Sequence, residues 1–493
     1  MSEFHRVKVR QKFYLDSVAL MRFSKSLVSA QGVSEAAMMM GTPSNIEIMA
    51  NAGLLKADEL SAAPGDLIIG IRGVDETSVN LAMSAADNML DTPAESTAGA
   101  QWRPRSVRSA MSLQPDANLA LVSVPGAFAI SEARKALRRG LHVMIFSDNV
   151  PIEQEVELKQ EARRLGKLVM GPDCGTAIIN GVPLAFANKV PRGDISVIGA
   201  SGTGIQEITS LIAQNQRGIS QAIGVGGRDL QEVVGGISTL MAMEALEKDK
   251  HTNHIVLVSK PPSELVAARV LNKASESAKP YTICFLGGVA PVLSENCGWA
   301  ATLTDAAAHA LGKLSLNPVE QPAFNANQRK GKLLHGLFCG GTLCTESLVL
   351  FQQAGVPVSS NVKMKGVATD NPDTHRLIDL GADEFTQGKP HPMIEPSIRD
   401  EAVQAALADN RVGVLLVDMV IGYGAHADPA SHFVASLNNH RHADVDIVAS
   451  VTGTDDDPQH RARQMSILSE AGVIVASSNA AATSLALSSI GAS

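Results

Sequence analysis

Short aliphatic runs recur along the 493 residues, each closed by glycine or a polar turn and followed by a segment with apolar positions three to four apart. The runs Asp66–Ile71, Leu119–Val124, His142–Phe146, Leu168–Met170, Ile195–Ile198, His254–Ser259, Tyr281–Phe285, Leu333–Phe338, Val412–Asp418, Asp446–Val451 and Val473–Ala476 predict strands. The segments Ala129–Arg139, Glu153–Leu165 and Gln231–Leu246 predict amphipathic helices. Their alternation predicts βαβ units built on parallel sheets. Two stretches break the pattern. Residues 91–110, with Pro93, Ser96 and Gly99, read as a loop, and 316–332, with Pro318 and Pro322, as a linker.

The pattern also repeats at a larger scale. Residues 195–207 read ISVIGASGTGIQE, and 334–346 read LHGLFCGGTLCTE. Each is a strand, a glycine-rich turn and a helix start, and each ends in Gly-Thr-x-x-x-Glu: Gly202, Thr203, Glu207 and Gly341, Thr342, Glu346. The next strands recur as well, one ending in Lys260-Pro-Pro and the other before Gly422-Tyr-Gly. This predicts two copies of one doubly wound domain. The expected organisation is a small α/β region at 1–100 and a Rossmann-like domain at 101–190. A first doubly wound domain at 191–316, a linker at 317–332 and a second doubly wound domain at 333–493 follow.

Composition narrows the function classes. With 45% hydrophobic and 19% charged residues, the chain can bury real cores. A net charge of −8 without a Lys/Arg block excludes nucleic acid as the main partner. Arg6, Lys8, Arg10 and Lys12 are not followed by an apolar region of the signal-peptide kind, and no apolar run is long enough to span a membrane. Five widely spaced cysteines make no disulfide scaffold. A cytoplasmic protein is expected, as a possible homo-oligomer.

Glycines after a strand bring backbone N–H groups close to a ligand, and the helix that follows offers unpaired donors and the positive end of its dipole. Ser201, Gly202, Thr203 and Gly204 on one turn, and Gly340, Gly341 and Thr342 on the other, are candidate phosphate binders facing one anion. Each turn alone also reads as a plain helix start with a Thr cap. Neither is a P-loop, because no Gly-Lys-Ser/Thr follows, so no nucleotide is expected. Glu207 and Glu346 lie one helical turn further in, where they could orient a basic group or complement the dipole. Arg228 suits clamping an anion, or a surface ion pair with Asp229. Lys389 and His391, in Gly-Lys-Pro-His-Pro, suit charge neutralisation or proton transfer. Asn149, Asp173, Cys174, Gly175 and Thr454 are candidate substrate contacts at strand ends. Cys174 has no nearby His to activate it, so a packed thiol is the alternative. Asp418, Tyr423, His426 and Asp428 form a further polar cluster without metal-ligand spacing, and no metal is expected.

Taken in order, Asp16-Ser-Val, Met40-Gly-Thr-Pro-Ser-Asn45, Phe146-Ser-Asp-Asn-Val150, Gly171-Pro-Asp-Cys-Gly-Thr176, Gly199-Ala-Ser-Gly-Thr-Gly204, Gly226-Gly-Arg-Asp229, Cys339-Gly-Gly-Thr342 and Gly388-Lys-Pro-His-Pro392 resemble the FdrA family of acyl-CoA synthetase-like proteins. More remotely, residues 115–310 resemble the α subunit of succinyl-CoA synthetase, and the last third resembles the carboxyl domain of its β subunit. The resemblance implies a Rossmann-like CoA-binding-type region followed by two flavodoxin-like domains. It also implies companion subunits. The synthetase's phosphorylated His has no counterpart in Gly287–Ala301, its ATP-grasp domain is absent, and the glycine-rich CoA loop is missing. CoA is therefore a possible cofactor and none is certain. FdrA-type proteins are associated with a carbamoyltransferase that interconverts oxalurate and phosphate with oxamate and carbamoyl phosphate in purine-ring catabolism. The resemblance thus implies an acyl or carbamoyl phosphate as small-molecule partner. A CoA-using synthetase and a non-catalytic anion-binding scaffold are the competing expectations.

Overall fold

The computed structural model describes residues 4–491 apart from 14, 16, 56–61, 92–103, 317–331, 387–389 and 438–444. Residues 317–331 of the expected linker, and Lys389, lie outside the described residues. No helix among the described residues is long and apolar enough to cross a membrane.

Four sheets follow one another. The first is antiparallel, in the order Phe4–Arg10, Leu67–Gly73, Val33–Met40. Its inner face is closed by the helices Ser17–Val28 and Glu76–Asp91, with Leu67, Ile69, Ile71, Val79 and Ala82 in the core. Part of the loop expected at 91–110 is instead the helix Val107–Leu113, started by a capping box between Ser106 and Ser109. The second sheet has three parallel strands, Leu119–Val122, His142–Ile145 and Val169–Met170.

The third and fourth sheets have seven strands each. In the third, five parallel strands run Ile219–Gly224, Arg192–Gly199, His254–Ser259, Tyr281–Phe285, Cys297–Trp299. An antiparallel hairpin, Thr176–Ile179 and Val182–Ala185, extends it beyond Ile219–Gly224. This sheet therefore begins at Thr176, inside the stretch expected to belong to the preceding domain. In the fourth, five parallel strands run Arg376–Asp379, Leu333–Phe338, Val412–Val420, Asp446–Thr452, Ile474–Ala476, with two short strands beyond Arg376–Asp379. Read by chain order, both five-strand sets are 2-1-3-4-5, the flavodoxin-like winding. The repeat seen in the sequence is thus a repeat of fold. The helix expected at Gln231–Leu246 starts only at Ile237, because Gly235 and Gly236 hold left-handed φ angles of 75° and 71°.

The two doubly wound halves share one core. Ile205, Ile208 and Leu211 of the helix Gly202–Gln214 (the 202 helix) pack in the same apolar cluster as Leu343, Cys344 and Leu348 of the helix Gly341–Gln353 (the 341 helix). Leu303 and Ala306 of Leu303–Ala310, and Ala482 and Leu485 of Asn479–Ser489, complete it. Burial of these side chains sets the two glycine-rich turns side by side.

Candidate functional site

In a 2-1-3-4-5 sheet the crevice for a ligand opens where the winding reverses, between the first and third strands. In the first half this places the 202 turn beside the end of His254–Ser259, where Lys260 follows. In the second half it places the 341 turn beside Asp418. The turns meet: the hydroxyls of Ser201 and Thr342 are hydrogen-bonded to each other. A Cβ on Gly204 would lie 3.2 Å from Thr342 Cγ2, so only glycine allows this approach without displacement.

The two turns differ in what fills them. Ser201 N-caps the 202 helix by accepting the Gly204 N–H at 3.0 Å. The N–H groups of Ser201, Gly202 and Thr203 have no partner among the described residues. At the 341 turn, buried Asp418 accepts the N–H groups of Cys339 and Gly340, both at 2.7 Å, and Arg399 Nη1 donates to the Asp418 carbonyl at 2.6 Å. Asp379 lies against Gly341, where a Cβ would come within 2.5 Å of its Oδ2. Gly340 and Gly341, expected to cradle phosphate, therefore make room for two of the protein's own carboxylates.

Asp379 Oδ1 accepts the Gly381 N–H at 2.9 Å. Burial, with Asp418 and Glu384 nearby, pushes its carboxyl up to about 6, against the backbone bond and the Lys260 charge. His391 packs below Gly381, and its Nδ1 accepts the Met393 N–H at 3.2 Å, which leaves the proton on Nε2. Burial depresses its pKa to about 4. At neutral pH His391 is an uncharged donor, not the charge-neutralising group expected.

Glu207 and Glu346 do not orient Arg228 or His391. Each reaches across to a helix start in the opposite half. Glu207 accepts the Thr452 hydroxyl and the Asn479 N–H (3.1 Å). Glu346 accepts the Leu303 N–H (2.6 Å) and the Asn479 side-chain amide (2.7 Å). Burial raises both carboxyls, and the Glu207 charge adds to the rise of Glu346, to about 8. The Glu of each motif copy thus ties the halves together, which explains its position without a ligand.

Arg228 lies apart from the turns, bound to Glu155 at 2.8 Å and to the Val150 carbonyl at 2.9 Å. Asp229, its expected partner, pairs instead with buried Lys159 at 2.7 Å. Cys174 is buried against the Gly224 carbonyl, and its thiol is pushed up to about 12, so it is a packed thiol and no substrate contact. Thr454 is also buried: its hydroxyl donates to the Lys189 carbonyl, and Asp457 holds its N–H. Asn149 and Asp173 are exposed at strand ends with left-handed φ, and Gly175 accepts the Phe186 N–H through its carbonyl. Asp148 and Asp383 act on Asp173 by charge, so this edge is acidic. That acidic edge suits neither phosphate nor the diphosphate of CoA. Gly126 offers no cradle either, since a Cβ there would lie 2.2 Å from the Asp148 carbonyl. Lys260 stands out in the sequence only as the end of a repeated strand, and Asp379 not at all. Both end strands of a doubly wound sheet, which is the signal that could have found them.

Three family models match: AllF, heavy metal-associated domain over residues 1–104, CoA binding domain over 192–287 and CoA-ligase over 337–488. The uncharacterized protein YahF of Escherichia coli K12 is 38% identical over 498 residues, covering 96% of each chain. The chain belongs to the YahF family. Together with the CoA-binding and CoA-ligase matches, this makes it an acyl-CoA synthetase-like family. The ADP-forming succinate–CoA ligase α subunit of Methanothermobacter thermautotrophicus is 25% identical over 179 residues, 36% of this chain and 59% of that subunit. The dinucleotide-forming acetyl-coenzyme A synthetase 1 of Ca. Korarchaeum cryptofilum aligns over 76% of this chain and 82% of its own, at 17% identity and a TM-score of 0.33.

The heavy-metal match does not extend to ligands. Residues 1–104 contain no cysteine and one histidine, His5. Soft metal ions take thiolate, thioether or imidazole donors; the region has no thiolate, and the thioethers of Met38, Met40, Met49 and Met83 are buried in its cores, so this donor set does not fit them. Among the described residues no cluster of His, Cys, Asp and Glu could hold a metal.

Proposed function

We propose that this chain is the anion-handling subunit of a multi-subunit acyl or carbamoyl transferase, with its phosphoryl group held on the 202 turn. The observation that carries this reading is an open turn with a lysine at the neighbouring strand end, whereas the 341 turn, whose Gly341 and Thr342 N–H groups are also unpartnered among the described residues, is flanked by Asp379 and Asp418. Three backbone N–H groups, at Ser201, Gly202 and Thr203, have no protein partner among the described residues. They face the second half across the Ser201–Thr342 bond, with Lys260 at the neighbouring strand end. The FdrA resemblance gives the transferred group as carbamoyl. A phosphate oxygen attacks the carbamoyl carbon of oxalurate, the C–N bond breaks, and the phosphate proton passes to the leaving nitrogen. Carbamoyl phosphate and oxamate result. The N–H groups and Lys260 offset the anion's charge, and the neutral His391 Nε2–H adds a donor. No step needs a phosphohistidine or nucleotide.

A second reading, a CoA-using synthetase, is favoured by the CoA-binding and CoA-ligase family matches. Thermal-shift titrations of the purified chain with carbamoyl phosphate, phosphate, oxamate and CoA separate the two, because a ligand that binds the folded state raises its stability by mass action. Stabilisation by carbamoyl phosphate and not by CoA is expected. Stabilisation by CoA alone would replace the carbamoyl reading with the synthetase one.

A further inference from the structure

Asp379 is an unusual neighbour for an anion. It ends the strand Arg376–Asp379, is 9% exposed, and presses Oδ2 against Gly341, at the first turn of the 341 helix. Its Oδ1 is taken by the Gly381 N–H, but Oδ2 has no hydrogen-bond partner among the described residues. The residue is nine-tenths buried, yet Oδ2 itself is not fully enclosed, so it stands open to a ligand that brings a proton. The next residue of the 341 helix, Thr342, is the one bonded to Ser201 of the open turn. Lys260 from the first half acts on Asp379 by charge, Asp418 and Glu384 oppose it, and the neutral His391 lies beyond Gly381.

We infer that Asp379 is the specificity-determining residue of the anion site: its free Oδ2 accepts the O–H of a protonated phosphate oxyanion and repels an anion that has no proton to give. This rests on the proposed anion site and names its substrate class, hydrogen phosphate or a phosphate ester or anhydride that keeps an acidic O–H. Sulfate has the same size and the same four oxygens but carries no proton near neutral pH. A site built to receive a hydrogen bond rejects the analogue that cannot supply it, because its own polar group is then left unpaired or repelled. Asp379 remains ionised above its raised pKa of about 6, so the discrimination operates at neutral pH.

The test is a calorimetric titration of the full chain at pH 7.5 with inorganic phosphate and, separately, with sulfate. The wild type is expected to prefer phosphate by at least about tenfold, and Asp379→Asn to bring the ratio close to one, chiefly by gaining sulfate affinity. Lys260→Gln is expected to weaken both anions alike and leave the ratio unchanged. The unliganded melting temperature of each variant reports folding. Equal wild-type affinities, or a ratio that Asp379→Asn does not move, would overturn the role of Asp379 while leaving the anion site standing. A wild-type chain that binds neither anion would overturn the site itself.

Discussion

The two doubly wound halves share a strand order and a Gly-Thr-x-x-x-Glu motif, yet the strand ends beside their helix starts carry opposite charges, Lys260 in one and Asp379 and Asp418 in the other. At the 341 turn, Asp418 occupies the Cys339 and Gly340 N–H groups and Asp379 leans on Gly341. At the 202 turn, the Gly340 counterpart Ser201 keeps a free N–H among the described residues, and the nearby strand ends in Lys260 instead of an aspartate. Both helix starts leave N–H groups unpartnered among the described residues, at Gly202 and Thr203 and at Gly341 and Thr342, so what separates the halves is the pair of carboxylates beside the second, and the proposed function places the outside anion on the first. A repeated motif therefore need not repeat a function: one copy can fix the architecture while the other keeps the chemistry.

The largest effect that separates the halves is expected at Asp418. Asp418→Ala leaves two backbone donors and the buried Arg399 without their carboxylate, and should cost about 3–5 kcal/mol in denaturant unfolding. No residue of the 202 turn should cost as much.

Next comes the cross-cap. The Glu346 carboxyl rises from 4.5 to about 8 on folding. A raised carboxyl binds its proton more tightly in the folded state. The benefit is full below about pH 4.5 and is lost as pH climbs through about 8. Wild-type stability should therefore fall between pH 5 and 8 relative to Glu346→Gln, by roughly 2–4 kcal/mol. Unfolding curves of both proteins at the two pH values measure the gap, and a constant gap contradicts the assignment.

The glycines sharpen the contrast. Gly341→Ala drives a Cβ into Asp379 Oδ2 at 2.5 Å and should lower stability by about 1–3 kcal/mol. Gly202→Ala meets only Thr176 Oγ1 at 3.0 Å, so it should cost under about 1 kcal/mol while weakening phosphate binding about tenfold. Thermal unfolding with and without phosphate separates the two outcomes. Ser201→Ala removes the cap of Gly204 and the bond to Thr342 and should cost about 1 kcal/mol. Combined with Thr342→Val, it should show a coupling of about 0.5–1 kcal/mol in a double-mutant cycle.

Much of this architecture was legible in the residues. His254–Ser259, Tyr281–Phe285 and Leu333–Phe338 have the bounds their aliphatic runs predict, because strands buried on both faces read as unbroken apolar stretches. The repeat announced two halves, since identical spacing of Gly, Thr and Glu reflects identical strand-to-helix geometry. Phe4–Arg10 and Val33–Met40 escaped notice, being partly exposed edge strands with charged or small residues. The site was less legible. A glycine beside a helix start looks the same whether a phosphate or a carboxylate comes close, and only the fold shows that Asp379 and Asp418, 38 and 77 residues after Gly341, fill that space. Likewise, no spacing in the chain announces that Glu207 and Glu346 each cap a helix in the other half.

The central claim is that an oxyanion belongs on the 202 turn and not on the 341 turn. The most direct measurement is a crystal structure of the chain grown with phosphate. The account predicts one phosphate within about 3 Å of the N–H groups of Ser201, Gly202 and Thr203, with Asp418 still on Cys339 and Gly340. Phosphate seated on the Cys339–Gly340 amides, with Asp418 displaced, would contradict it.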